Sequence, residues 1–274
     1  MAVEHLVIAG KSGVGKSTTA ANLSAALAET GKRVLLVGYD SHWSSTSVLR
    51  GGNDLIPLPG WLGEEAPLYA LGHAGALCLE LGTALKSGAA TENDILTHPL
   101  IAGYDPEYVL HDTAGEPAGS FKLPAGIEGL SRLLAVTSAD MCALQAVNDL
   151  FAWFNTIAAA ECRFGGVVAN NLSGPLYEAI VSDFASQTAA VISATVPRSI
   201  MVSVSDFYSQ TLLQSAPFSH VSFAYRKLAR SLVRGMESRR PRPLSREALS
   251  SWAQKWGDII SELETGVVNG GLGI

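Results

Sequence analysis

The chain has 274 residues, a formal net charge of −6, and 47% hydrophobic against 16% charged residues. That length suits one large α/β unit with a substantial core, and the low charge leaves apolar surface for a subunit or protein-partner interface. The acidic balance argues against a general nucleic-acid partner, and Cys78, Cys142 and Cys162, three thiols without CxxC spacing, predict a reduced, cytoplasmic protein rather than a disulfide framework.

Glu4–Ala9 (EHLVIA) reads as a short buried strand that runs straight into a glycine turn, so no secretory signal is read there. Residues 16–30 read as a helix with Ala and Leu on one face and Gly31 at its end, and 33–38 (RVLLVG) as a second apolar strand leading to Asp40. Strand, loop, helix, strand is the unit of a parallel sheet covered on both faces. Segment 51–97, rich in Gly, Pro and Ala, is expected to form loops and short helices. The strand pattern recurs at 108–110 before Asp112, at 133–137, at 165–169 before Asn170 and at 190–196 before Pro197. Such strand tails mark the edge where open α/β sheets bind ligands. Residues 141–160 are the most apolar long segment, but Asn148, Asp149 and Asn155 make them a core helix rather than a membrane span. A helix is expected over 220–237. The basic run 234–242 reads either as a solvated linker or as a docking patch, and 238–244 as a Pro/Arg linker. Leu249, Trp252, Trp256 and Ile260 give 245–264 helical spacing, and 267–274 reads as a frayed end. The five tryptophans read as core or interface residues. The organisation expected is a nucleotide-binding domain over 1–237, with linker, terminal helix and tail over 238–274 packing on the same domain or on a dimer partner. That helix is apolar on one face but acidic at its end, which argues against membrane binding.

Gly10-Lys11-Ser12-Gly13-Val14-Gly15-Lys16-Ser17 fits G-x-x-x-x-G-K-[ST], followed by Thr18, between a strand and a helix as this phosphate loop requires. Its glycines let successive N–H groups point at phosphate oxygens, and the helix adds its positive N-terminal end. Lys16 is expected to reach the β- and γ-phosphates of ATP, and the Ser17 hydroxyl to ligate Mg2+. Asp40 reads as a residue that positions water or holds Mg2+ indirectly, or else as a cap or turn Asp. Asp112-Thr113-Ala114-Gly115 matches D-x-x-G: Asp112 in the second metal shell and a Gly115 N–H that senses the γ-phosphate, or an ordinary turn. Asn170 reads as a contact to the adenine edge or a capping Asn. Pro197-Arg198 read as the other wall of the base site, with a surface Arg as the alternative. Glu116 is the nearest extra carboxylate to the D-x-x-G loop, and the histidines show no metal spacing.

GKSGVGKSTTAANLSAALAETGKRVLLVGYDSHWSST, HDTAG, GGVVANN, TVPRS, YRKLARSL and PRPLSREALSSWAQKWG together resemble the iron protein of nitrogenase and its relative, the ATP-dependent subunit of dark-operative protochlorophyllide reductase, over nearly the whole chain. The resemblance implies a P-loop NTPase fold, a doubly wound, mostly parallel sheet flanked by helices, and a homodimer. It gives nucleotide roles to Lys11, Lys16, Ser17, Asp40, Asp112, Asn170 and Arg198, and places Asp206 where the family has an acidic residue near the base. Lys11 is the mark of the deviant Walker A class, in which it reaches across the dimer to the partner's nucleotide.

That family holds a [4Fe–4S] cluster between subunits on two cysteines from each. Ala90 stands where the first ligand is expected, and Ala118 and Gly119 where the second is, while Cys78 matches a family cysteine that is not a ligand. The other two cysteines, Cys142 and Cys162, are expected on or just after a helix. No cluster is therefore expected at the usual place. Ser12 replaces a loop glycine, and Ser44 a carboxylate in the first switch, which predicts slow turnover. The leading expectation is a cluster-free, iron-protein-like ATPase that docks on an unidentified protein partner. The alternatives are a nucleotide-gated binder without turnover and a reductase subunit with an unusual cluster.

Overall fold

A computed structural model describes residues 3–40, 42–61, 63–88, 91–113, 123–124, 131–158, 160–236 and 238–266. Apolar β1 (Glu4–Ala9) lies inside the sheet, and the glycine turn after it feeds α1 (Lys16–Ala28) back over one face to β2 (Val34–Gly38). Then come α2 (Ser47–Arg50), β3 (Ile56–Pro57), β4 (Leu68–Leu71), β5 (Leu77–Glu80), α3 (Gly82–Ser87), α4 (Glu92–Leu96), α5 (Pro99–Tyr104) and β6 (Tyr108–Asp112). The second half holds β7 (Ser131–Thr137), α6 (Met141–Phe154), β8 (Cys162–Leu172), α7 (Pro175–Gln187), β9 (Ile192–Pro197), α8 (Met201–Phe207), α9 (Leu212–Ser215), α10 (His220–Arg234) and α11 (Arg246–Thr265).

The strands form one sheet in the order β3-β4-β5-β2-β6-β1-β7-β8-β9. From β5 to β9 all pairings are parallel, and β4 and β3 add an antiparallel edge. Leu6, Ile8, Leu36 and Leu110 face α1 and α10 on one side. On the other, Val7, Ala9 and Leu133 face α6, α7 and α11, while Leu35 and Val37 face α3–α5. Parallel strands buried on both faces explain why their sequences run apolar without alternation. The fold is therefore the doubly wound α/β arrangement, with the ends of β1, β2 and β6 on one edge.

Three expectations are corrected. Segment 51–97 carries β3, β4 and β5, not only loops and short helices. Leu77–Glu80 is only four residues long, too short for its apolar run to stand out among Gly and Ala. The helix expected over 141–160 ends at Phe154, where Asn155 turns its amide back onto the Phe151 carbonyl at 2.8 Å, and Cys162 opens a strand instead of trailing a helix. Segment 238–244, expected as a Pro/Arg linker, straps the end of α6: Arg239 and Arg242 stay exposed, while Arg240 is half-buried. Arg240 donates to the carbonyls of Phe154 and Ile157 and stacks 4.9 Å over the Phe154 ring. Asn148 exchanges two hydrogen bonds with the Leu244 backbone, of 2.8 and 3.0 Å. The strap delivers α11, whose Trp252 and Trp256 both donate to Asp183 Oδ2 of α7, at 2.9 and 2.8 Å. Among the described residues, no helix is long and apolar enough to cross a membrane. The tail 267–274 lies outside the described residues.

One polar cluster interrupts the second face. His5 Nδ1 lies 2.9 Å from His111 Nε2, whose Nδ1 lies 2.8 Å from the Tyr39 hydroxyl. Burial pushes His5 down to about 4 from 6.5, and burial together with His5 holds His111 well below the ordinary range. Both rings are thus neutral in the folded chain, whereas the unfolded chain takes up protons below pH 6.5. Their contribution to stability is complete above pH 6.5 and is lost as pH falls towards 4, on the order of 3 kcal/mol for His5. Thermal melts of wild type and His5→Gln across pH 4–7 check this: the variant's melting temperature should fall less steeply with acid. Parallel curves would refute it.

Candidate nucleotide site

The turn from β1 into α1 adopts a backbone that only glycine tolerates. Gly10 has φ +147°, and a Cβ there would stand 2.3 Å from the Val136 carbonyl oxygen of β7. Gly15 caps α1 at φ +92°, where a Cβ would meet the Asn170 amide nitrogen at 2.3 Å. No side chain caps α1 and its first turn holds no acidic residue, so its free N–H groups are left for a ligand. Lys16 is only 7% exposed, with Nζ donating to the Lys11 carbonyl at 3.2 Å. Burial lowers its pKa and the nearby Asp112 carboxylate partly restores it. The Lys11 side chain is exposed, and its charge is among the influences that keep Asp140 ionised.

A cavity of about 480 Å³ is lined by Ser12, Lys16, Ser17 and Thr18 on one side and by Asp40, Ser44, Ser45, Asp112 and Thr113 on the other. Asp112 ends β6 at 3% exposure. Burial raises its pKa against hydrogen bonds from Ser17 and Ser45 and the Lys16 charge, and its Oδ1 has no hydrogen-bond partner. Asp40 is held differently. Its Oδ2 accepts from the Ser44 hydroxyl at 2.6 Å, and its Oδ1 accepts from the His42 N–H at 3.2 Å and faces His42 Nδ1 at 3.0 Å. Burial opposes ionisation, but these bonds outweigh it and keep the carboxyl below its usual range. That geometry is the turn alternative for Asp40, an Asx-turn.

A second cavity of about 430 Å³ shares Gly13, Gly15 and Thr18 with the first and is walled by Asn170, Pro197, Arg198 and Ile200. Asn170 lies inside β8, and its amide donates to the Val14 carbonyl at 2.7 Å, so it braces the glycine turn. The Arg198 N–H donates to Leu172, joining the two strand ends. Asp206 is exposed on α8 and does not line the cavity, which Val202 and Ser203 reach from the same helix. Gly115, with Ala114, Glu116, Ala118 and Gly119, lies outside the described residues, as does Ala90.

The sequence reading missed Glu80, the last residue of β5, which is 1% exposed. Burial pushes its carboxyl up to about 7. The signal was a carboxylate closing an otherwise apolar strand. It also missed the Tyr39–His111 contact, which joins the residues immediately before Asp40 and Asp112.

The cysteines are dispersed. Cys78 is buried in β5 and Cys162 at the start of β8, five strand spacings apart in the sheet order, roughly 24 Å. Burial raises the pKa of both, so both stay thiols. Cys142 is exposed on the first turn of α6.

The profile of the 4Fe-4S iron sulfur cluster binding proteins of the NifH/frxC family matches residues 4–258. The chain is 33% identical to nitrogenase iron protein 2 of Paenibacillus durus, over 97% of this chain and 96% of the relative. It is 32% identical to the nitrogenase iron protein of Methanospirillum hungatei, over 93% and 96%. Among solved structures, the MinD cell division protein of Aquifex aeolicus aligns with TM-score 0.63 at 19% identity, covering 89% of this chain and all of that one. Cobyrinic acid a,c-diamide synthase of Mycobacterium smegmatis, with bound ADP and magnesium, aligns with TM-score 0.59 at 20% identity, over 89% and 100%. At those identities the structures share the fold.

The fit at Gly10 sets an expectation. Gly10→Ala forces a methyl group into a backbone carbonyl and should cost about 1–3 kcal/mol or more. Urea denaturation measures it, and a midpoint equal to wild type would show that the turn is not so constrained.

Proposed function

Because the chain belongs to the NifH/frxC family of 4Fe-4S iron sulfur cluster binding proteins, we propose that it is a homodimeric, cytoplasmic Mg-ATP-hydrolysing switch that works without that family's cluster and acts on a protein partner. The observation that carries this reading is the buried Lys16 ammonium beside a turn whose glycine backbone leaves N–H groups free. On this reading Gly10–Thr18 hold the triphosphate, Lys16 neutralises its β- and γ-oxygens, and the Ser17 hydroxyl ligates Mg2+. The unpartnered Oδ1 of Asp112 suits a water of the hydrated cation. Asn170, Pro197 and Arg198 surround the base, with Asp206 beyond them, and the Gly115 N–H reads the γ-phosphate. Lys11, exposed at the rim, reaches the nucleotide of the second subunit. A neighbouring fold carrying ADP and magnesium supports the nucleotide class. Another neighbour, the MinC:MinD cell division protein complex of Aquifex aeolicus, supports a protein partner.

The donor set does not suit a four-iron cluster shared across a dimer. Two of the three cysteines are buried thiols far apart in the sheet, whereas cluster ligation takes thiolates that converge on one point. The sequence supports the same conclusion with Ala90, Ala118 and Gly119 at the expected ligand positions. A second reading, a nucleotide-gated binder with little turnover, is favoured by Asp40, whose two oxygens are engaged by its own loop.

Phosphate release from Mg-ATP tests the main reading. Lys16→Ala should abolish it and Lys11→Ala should lower it about a hundredfold or more. Equal rates in Lys11→Ala and wild type would remove the trans role. Nucleotide binding without phosphate release in wild type would select the second reading. Protein purified without oxygen should contain no iron by elemental analysis, and about four irons per dimer would overturn the cluster-free proposal.

A further inference from the structure

We propose that Glu80 is a positioning residue whose carboxylate holds the loop carrying Asp40, Ser44 and Ser45 at the phosphate-side cavity. Glu80 Oε1 accepts from both the backbone N–H and the hydroxyl of Thr46, each at 2.8 Å. All three residues at this contact are buried: Glu80 at 1%, Thr46 at 0% and the adjacent Ser45 at 2% exposure. Room for the carboxylate comes from Gly38, its register partner on β2. A Cβ on Gly38 would stand 2.1 Å from Glu80 Oε2 and 2.6 Å from the Ser45 Cβ. A buried carboxylate whose second oxygen, Oε2, has no hydrogen-bond partner is costly in a sheet. What it secures is specific, because the two residues before Thr46 line the cavity with Asp40. The loop is held at its other end as well, where Tyr39, next to Asp40, reaches His111 of β6 at 2.8 Å. The loop is thus fastened to β6 before Asp40 and to β5 after Ser45, which confines its movement to the residues between.

The consequence for catalysis rests on the proposed ATPase reading, whereas the fastening itself does not. Amide hydrogen exchange of the peptide spanning 40–48 in the full chain tests the fastening. Glu80→Ala should speed exchange there about tenfold, the loss of one buried hydrogen bond or more, with β1 and β7 unchanged. Thr46→Val, which removes the hydroxyl contact alone, should speed it less. Glu80→Gln and Thr46→Ser keep an acceptor and a donor in place and should match wild type. Steady-state phosphate release should then show kcat lowered about tenfold in Glu80→Ala with KM for Mg-ATP nearly unchanged, and recovery in Glu80→Gln. Unchanged exchange in both Glu80→Ala and Thr46→Val overturns the proposal. So does normal kcat in a Glu80→Ala protein whose loop exchanges faster. A wild type that releases no phosphate defeats the ATPase reading alone, and the exchange data still decide the role of Glu80.

Discussion

The ammonium of Lys16 is the group around which this sheet edge is organised. Removing most of its water costs free energy that only nearby oxygens can offset. The structure supplies two: the Lys11 carbonyl at 3.2 Å and the charge of Asp112. Those two compensations fix much else. The Lys11 carbonyl belongs to a turn that curls back over the start of α1 through positive φ at Gly13 and Gly15. Asp112 is close only because β6 lies beside β1 in register, Ile8 opposite Asp112. The glycine spacing, the strand order and the burial of one lysine are therefore one constraint seen from three sides. A triphosphate placed there would meet a cation whose solvation has already been stripped, where its attraction is strongest.

The second tier of the site is built from groups that look unrelated in the sequence. His5 and His111 come from β1 and β6, Tyr39 from the residue after β2, and Thr46 and Glu80 from a loop and a strand end. Parallel register brings each set together on the sheet. Tyr39 precedes one candidate carboxylate and His111 the other, so their 2.8 Å contact ties the roots of both loops to a neutral, water-poor cluster. Glu80 and Thr46 do the same at the far end of the first loop. The charged residues that face the cavity come from the helix start at Lys16, the loop at Asp40 and the strand end at Asp112, and buried contacts to the sheet anchor the loop.

This division also explains what could be read in advance. The glycine turn, α1 and the strands β1, β2 and β6 were legible because their local signals and their tertiary roles agree. Gly10 and Gly15 need positive φ in any such turn, and continuous apolar runs suit strands covered on both faces. β5 was not legible, since Leu77-Cys78-Leu79-Glu80 is too short for periodicity to separate strand from helix, and pairing with β2 and β4 makes it a strand. Glu80 was hidden for the same reason: its partner Thr46 lies 34 positions away in sequence. The strap at 238–244 was only partly legible: Arg239 and Arg242 stay in water, as a run of arginines ordinarily does. Arg240 instead finds carbonyls left free at the end of α6, together with the face of Phe154.

Asp40 shows how such a site can be both formed and at rest. Both oxygens of its carboxylate are engaged within its own loop, by Ser44 and by the His42 backbone, in this arrangement. Its side chain is 37% exposed, which places those bonds at the weak end of the range, about 0.5–1 kcal/mol each. Releasing them costs roughly 1–2 kcal/mol in all, a factor of about 5–30 in population. A nucleotide that binds the released form more tightly by only a few kcal/mol reverses that balance. The Ser44 hydroxyl is part of what sets that cost, because a carboxylate in its place would repel Asp40 instead of capping it. On the proposed reading, the serine at this position sets a shallow, closed resting state for the loop, and the two buried anchors keep its opening local.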